Sequence, residues 1–74
     1  MREQIVKILT ELRPEFDFSA DINFIEEGML DSFDIVSLVD AIDEKLGVVI
    51  SGLDILPENF ESLVAIENVI NKNR

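Results

Sequence analysis

Hydroxyl and carboxylate side chains are the main groups in this sequence that could carry covalent or acid–base chemistry. The chain has no cysteine and no histidine, which excludes thiol nucleophiles, Ser-His dyads and histidine metal ligands. Among the hydroxyls, Ser32 stands out because it follows Asp31 at the predicted start of a helix. A phosphate bonded there would lie near unpaired backbone N–H groups, which favour an anion. Serine is also frequent at helix starts, so this position alone does not assign a function.

The carboxylates could in principle form an acid–base pair or a calcium site. The acids of the second predicted helix could act as acid and base, but they are better interpreted as its solvated face. A calcium loop counted from Asp17 fails, because Ile22 replaces the required glycine and Gly28 replaces the closing glutamate. We therefore predict that the protein is not an enzyme and has no metal site.

The strongest global feature is the charge, which is −10 from 16 acids and 6 bases. No base lies between Pro14 and Glu44. The acids in that stretch are Glu15, Asp17, Asp21, Glu26, Glu27, Asp31, Asp34, Asp40, Asp43 and Glu44. Such a surface repels nucleic acid and anionic membranes and would steer a partner with a basic patch toward it. The alternative is that acidity only keeps a small domain in solution.

Apolar spacing predicts an all-α fold, a small three-to-four-helix bundle with a long first loop, in one domain over residues 1–74. The first helix is predicted from Met1 to Arg13, because Pro14 pushes the residue before it out of helical geometry. The last helix is predicted to follow Ser62 as its N-cap. No apolar run approaches the roughly 20 residues of a membrane span.

The second predicted helix has the most consistent local signals. Asp31 is a favourable N-cap, since its carboxylate can accept a hydrogen bond from the first turn. Asp34 then falls at the third helical position, where an acid suits the helix dipole. Gly47 supplies the left-handed residue that often ends a helix. These signals predict a helix over Ser32–Leu46.

The remaining segments are predicted to be connections packed on the core. The long loop from Pro14 to Leu30 carries many apolar residues, and a short helical turn is predicted near residues 21–24. Val48–Ile50 is expected to be an extended connector, because the chain offers no second strand to pair with it. Gly52 interrupts this connector, and a minor turn is expected over residues 53–56.

The run from Gly28 to Asp34 reads Gly-Met-Leu-Asp-Ser-Phe-Asp. It resembles the 4′-phosphopantetheine attachment motif of acyl carrier proteins and their peptidyl and D-alanyl carrier relatives. In that family an Asp-Ser-Leu core opens the second helix, and the serine receives the arm from coenzyme A. The similarity covers essentially the whole chain, including Gly47 after the second helix and the Pro57–Phe60 stretch before the last one.

The resemblance implies that Ser32 bears the arm and that Asp31 is the acid before it. The residues it assigns to partner binding are Phe33, Asp34, Val36, Ser37, Asp40 and Glu44. Phe33 replaces the usual leucine, and Asp40 places a charge where many fatty-acid carriers have an apolar residue. The implied partners are a phosphopantetheinyl transferase and an acyl- or aminoacyl-loading ligase, or an acyltransferase, with a basic docking patch.

The predicted function is therefore an acyl carrier protein. It would hold an acyl or aminoacyl group as a thioester on the arm at Ser32 and deliver it between enzymes, as a cytoplasmic monomer. The Gly-Met-Leu-Asp-Ser and Pro-Glu-Asn-Phe-Glu-Ser stretches look more like stand-alone carriers loaded by an adenylating ligase, such as D-alanyl carriers. An alternative from another class is a small acidic adaptor that binds a basic partner without a prosthetic group.

Overall fold

The chain folds into three α-helices and two short 3₁₀ helices in a computed structural model that describes residues 1–74. The α-helices are α1 (Arg2–Leu12), α2 (Ser32–Leu46) and α3 (Leu63–Asn73). The 3₁₀ helices span Gly52–Asp54 and Pro57–Asn59, and no strand forms. The all-α bundle with a long first loop is thus confirmed, and the bounds of α2 match the prediction.

The core is one cluster of 17 buried apolar residues drawn from all three α-helices and from the connections. Each helix contributes the face that its apolar spacing predicts. The buried helical residues are Ile5, Ile8 and Leu9 from α1, Ile35, Leu38 and Ile42 from α2, and Leu63, Ile66, Val69 and Ile70 from α3. Helix α2 is therefore held on one side by the core, and its opposite side is available to solvent.

The first loop lies on the core, as its apolar content predicts. Phe18 and Phe24 are fully buried, and their rings meet edge to face with centroids 5.1 Å apart. The backbone N–H of Phe24 donates to the carbonyl oxygen of Glu61 at 2.7 Å. The predicted turn near residues 21–24 is wrong in position. The chain turns over residues 24–28 instead, where Asn23 caps the turn by accepting backbone hydrogen bonds from Ile25 and Glu26.

The segment after α2 is extended and pairs with no strand, as predicted. Its side chains alternate, so that Val48 and Ile50 are buried while Val49 is exposed. Gly47 joins it to α2 in left-handed geometry, with φ of 68°, and donates its N–H to the carbonyl oxygen of Asp43. No helix of the protein has the length and apolar character needed to cross a bilayer.

Candidate attachment site at the start of helix α2

Two aspartates close the N-terminus of α2 by a reciprocal pair of hydrogen bonds. The Asp31 Oδ1 atom accepts the backbone N–H of Asp34 at 2.9 Å. In return, Asp34 Oδ2 accepts the backbone N–H of Asp31 at 3.0 Å. This capping box satisfies two N–H groups that a helix end otherwise leaves free, and the predicted roles of both residues in the helix start are confirmed.

Ser32 occupies the first helical position, between the two aspartates of the capping box. Its side chain is exposed, and its hydroxyl makes no hydrogen bond to another residue. The backbone N–H groups of Ser32 and Phe33 also have no partner in the chain. An anion attached to this hydroxyl would therefore lie beside free N–H donors at the positive end of the helix dipole.

Most other hydroxyls of the chain are already engaged. Thr10 donates to the carbonyl oxygen of Val6, and Ser19 bonds to the Asp17 carboxylate. Ser51 accepts a backbone N–H group and caps the first 3₁₀ helix, and Ser62 caps α3 in the same way. Apart from Ser32, only Ser37 in the middle of α2 presents a hydroxyl with no hydrogen bond to another residue.

Beside Ser32, a shallow groove of about 190 Å³ opens to solvent between α2 and the chain at the start of the second 3₁₀ helix. Its lining is mainly apolar and consists of Ser32, Ile35, Val36, Ile55 and Pro57. A phosphodiester on the Ser32 hydroxyl would meet the free N–H groups, and the thin chain beyond it would have an apolar surface to follow. These residues therefore fit a 4′-phosphopantetheine arm.

The exposed side of α2 is formed by the residues that were predicted to meet partners. Phe33 is 84% exposed and Val36 is 64% exposed, although both are large apolar residues. Ser37, Asp40 and Glu44 continue the same side at steps of one, three and four, and all are exposed. The result is an apolar patch next to Ser32 that grades into an acidic one.

Asp34, which was also predicted to meet partners, differs from the other residues of this side. Its side chain is only 14% exposed, and its carboxylate accepts hydrogen bonds from the Arg13 guanidinium as well as from the backbone of Asp31. The Arg13 hydrogen bonds hold the pKa of the Asp34 carboxyl below its usual value. Both oxygens are used inside the protein, so the structure gives Asp34 a role in capping α2, and its contact with partners stays a prediction.

The contact between Arg13 and Asp34 was missed at the sequence level, since the two residues are 21 positions apart. The one available signal was the position of Arg13, which is the last base before the acidic stretch and stands at the end of α1. No rule of local sequence assigns a partner to such a base.

The chain matches a known protein family over most of its length. A family described as the phosphopantetheine attachment site matches residues 2–70, which is nearly the whole chain. The protein therefore belongs to this family of phosphopantetheine-binding carrier domains, as its resemblance to acyl carrier proteins implies. Among curated proteins, no sequence gives a significant match.

Family membership defines the general chemistry. Domains of this family carry 4′-phosphopantetheine covalently on a serine, and they are carriers that do not catalyse reactions themselves. They interact with a phosphopantetheinyl transferase and with partner enzymes. The predicted cofactor and the absence of enzymatic activity are thus confirmed, and a carrier is favoured over an acidic adaptor.

Proposed function

We propose that Ser32 is the attachment residue and that residues 1–74 act as one carrier domain, a cytoplasmic monomer. The domain would present a small acyl or aminoacyl group, loaded by an adenylating ligase, to partner enzymes. When bound, the arm supplies a thiol on which the cargo travels as a thioester. The chain supplies the anchoring hydroxyl, the surface that partners read and a closed core behind it.

The observation that carries this proposal is the state of the Ser32 hydroxyl. It is exposed and unbonded at the start of a helix, whereas Ser19, Ser51 and Ser62 use their hydroxyls within the protein. A transferase must reach a hydroxyl whose proton and lone pairs are available. Ser37 is the only other serine that satisfies this condition, but it lies within the helix, away from the free N–H groups of the first turn.

The proposal of a small cargo is supported by how the core is filled. Phe18, Phe24 and Phe60 are fully buried inside it, and each cavity of the protein is open to solvent. The groove beside Ser32, at about 190 Å³, is shallow. A small polar group can remain outside such a bundle, while a long acyl chain would have to displace buried side chains.

The proposed docking surface is the exposed side of α2, defined by Phe33, Val36, Ser37, Asp40 and Glu44. Exposed apolar side chains beside an attachment point favour a partner with a complementary pocket. The acids further along the helix favour a partner that carries a basic patch around that pocket. Both features fit the loading ligase and the transferase better than a nucleic acid or a membrane.

The attachment residue is tested by incubating purified protein with coenzyme A and a broad-specificity phosphopantetheinyl transferase, and then recording intact mass and peptide fragments. We expect one arm on the wild-type protein, none on Ser32→Ala and one on Ser37→Ala. Ser37→Ala is the matched control, because it removes the other free hydroxyl from the same helix. An arm on Ser32→Ala, or none on the folded wild-type protein, would overturn the assignment.

A further inference from the structure

Arg13 links the end of α1 to the start of α2. It is the C-cap residue of α1, where its backbone N–H donates to the carbonyl oxygen of Leu9 at 2.9 Å. Its guanidinium spans the Asp34 carboxylate, with Nε 3.1 Å from Oδ1 and Nη2 2.9 Å from Oδ2. The same Nη2 atom lies 3.6 Å from Oδ2 of Asp31. Arg13 therefore contacts both acids of the capping box.

No other base lies within ion-pair distance of these two acids. The next base along the chain, Lys45, is paired with Glu11. Glu15 adds another negative charge nearby, since its carboxylate lies 3.2 Å from Nη1 of Arg13. Without Arg13, the start of α2 would thus hold acids alone.

The capping box depends on the Asp34 carboxylate that Arg13 holds. Asp34 Oδ2 is shared between Nη2 of Arg13, at 2.9 Å, and the backbone N–H of Asp31, at 3.0 Å. A carboxylate with so little exposure needs charged or N–H partners in place of water. A bidentate guanidinium also orients the carboxylate plane, which a point charge does not.

Ser32 lies between the two residues of the box, so the box fixes the backbone from which its side chain projects. The diphosphate of coenzyme A must approach that hydroxyl beside the negative charges of Asp31 and Asp34. The positive charge of Arg13 offsets one of them. Arg13 should therefore favour the reaction at Ser32 in two ways, by holding the capping box and by offsetting negative charge. It makes no contact with Ser32 itself.

We propose that Arg13 is a positioning residue for the attachment of phosphopantetheine, acting on Ser32 through the Asp31–Asp34 capping box. This inference rests on the proposed role of Ser32 as the attachment residue. It predicts that the loss of Arg13 slows arm transfer by misplacing the hydroxyl, even in a folded protein.

The test measures the initial rate of arm transfer from coenzyme A at several concentrations of carrier, using the full chain and the same transferase. Arg13→Gln should lower kcat/KM by about tenfold, the scale expected for a lost charge-assisted contact, with most of the loss in kcat. Arg2→Gln is the matched control. It also removes one positive charge and one arginine–carboxylate pair from α1, but its partner Glu67 lies on α3. We expect less than about a twofold change for Arg2→Gln.

A double-mutant cycle separates positioning from general stability. Asp34→Asn removes the carboxylate that accepts the hydrogen bonds of Arg13 within the box, so the loss in the double variant with Arg13→Gln should be smaller than the sum of the two single losses. Circular dichroism at the assay temperature checks that each variant is folded. If Arg13→Gln does not fold, Arg13→Lys is used instead. It keeps the positive charge but cannot make the bidentate contact of a guanidinium, so we expect its kcat to lie below that of the wild-type protein.

The outcomes distinguish the two proposals. A folded Arg13→Gln (or Arg13→Lys, where only that variant folds) that is modified at the wild-type rate would overturn the role of Arg13 and leave Ser32 as the attachment residue. The role of Arg13 would also be overturned if Arg2→Gln lowered kcat/KM as much as Arg13→Gln does, or if the losses of Arg13→Gln and Asp34→Asn were additive. Absence of the arm from the folded wild-type protein would overturn the assignment of Ser32, and the positioning role with it.

Discussion

The Asp54 carboxylate accepts a hydrogen bond of 2.8 Å from the Lys72 ammonium, which fastens the first 3₁₀ helix to the last turn of α3. Asn73 donates a second hydrogen bond to the same carboxylate at 3.1 Å. Asn73 also accepts the backbone N–H of Ser51. Asp54 is the only charged residue of the chain that is buried, and these contacts replace the water that it loses.

The first prediction follows from the pKa of Asp54. The hydrogen bonds from Lys72 and Asn73 hold this pKa below its usual value of 3.8. A carboxyl whose pKa is lower in the folded protein contributes stability above its unfolded pKa and loses it as the pH falls through the folded one. We therefore expect Asp54→Asn to lower the midpoint of thermal unfolding at neutral pH, and the gap to the wild-type protein to close below about pH 4.

Asp43→Asn is the control for this change, because Asp43 is exposed on α2 and its carboxylate makes no hydrogen bond within the chain. Asp43→Asn removes one carboxylate charge without removing a contact, so it should not lower the midpoint at neutral pH. An Asp54→Asn gap that stayed constant down to about pH 2 would show that the carboxylate charge is irrelevant there.

The second prediction concerns the end of α2. Gly47 has φ of 68°, where a Cβ atom is strained, yet a Cβ built there meets no atom within 4 Å. Gly47→Ala should therefore lower the free energy of unfolding by about 1–2 kcal/mol through backbone strain alone. Urea denaturation measures this loss. Gly52→Ala is the matched control, since its surroundings are equally open and its φ is not positive, so we expect no comparable loss.

The third prediction tests the proposed docking surface. Asp40→Lys and Glu44→Lys should each lower kcat/KM for loading by the cognate ligase roughly fivefold at low salt, because they place a positive charge opposite a basic patch. The loss should shrink as salt is added. Asp40 and Glu44 are like charges one helical turn apart, so either reversal relieves repulsion within α2. We therefore expect both variants to remain folded.

Glu3→Lys provides the matching reversal on α1, away from the proposed surface, and should leave loading unchanged. Equal effects of all three reversals would mean that net charge alone matters, which contradicts a local docking surface. Asp34→Lys does not belong in this series, because it would remove the Arg13 pair and the capping box together.

The fourth prediction tests whether cargo enters the core. Octanoyl and acetyl groups differ by six CH₂ groups, and burial of these would add about 5 kcal/mol to the free energy of unfolding. Because the core is already filled, we expect octanoyl-loaded and acetyl-loaded protein to unfold at nearly the same temperature. Differential scanning calorimetry of the two forms measures this. A rise of more than about 15 °C for the octanoyl form would indicate sequestration and a different class of cargo.

Local signals account for most of the fold. The start of α2 could be predicted because Asp31, Asp34 and Gly47 act on neighbouring backbone groups, and the buried face followed from apolar spacing. Ser32 could be singled out for the same reason. The resemblance of its surrounding motif to that of acyl carrier proteins then predicted phosphopantetheine attachment, which the position of Ser32 alone does not specify.

The parts that the sequence did not predict depend on distant partners. Arg13 and Asp34 are 21 residues apart, and Asp54 and Lys72 are 18 residues apart. Polar contacts of this kind have no period, so no window of sequence contains both partners. The turn in the first loop was misplaced because Asn23, which could cap a turn, lies among other residues with equal turn propensity.

The attachment of the first loop to the segment before α3 has a consequence for how far cargo can travel. The hydrogen bonds from Asn23 and Phe24 to Glu61 join the first loop, which precedes Ser32, to the segment that leads into α3. The backbone that leads to Ser32 is therefore held against the bundle. An arm on Ser32, as proposed, would then swing from a point that is fixed relative to the domain, so a partner would have to bring its active site within the length of that arm.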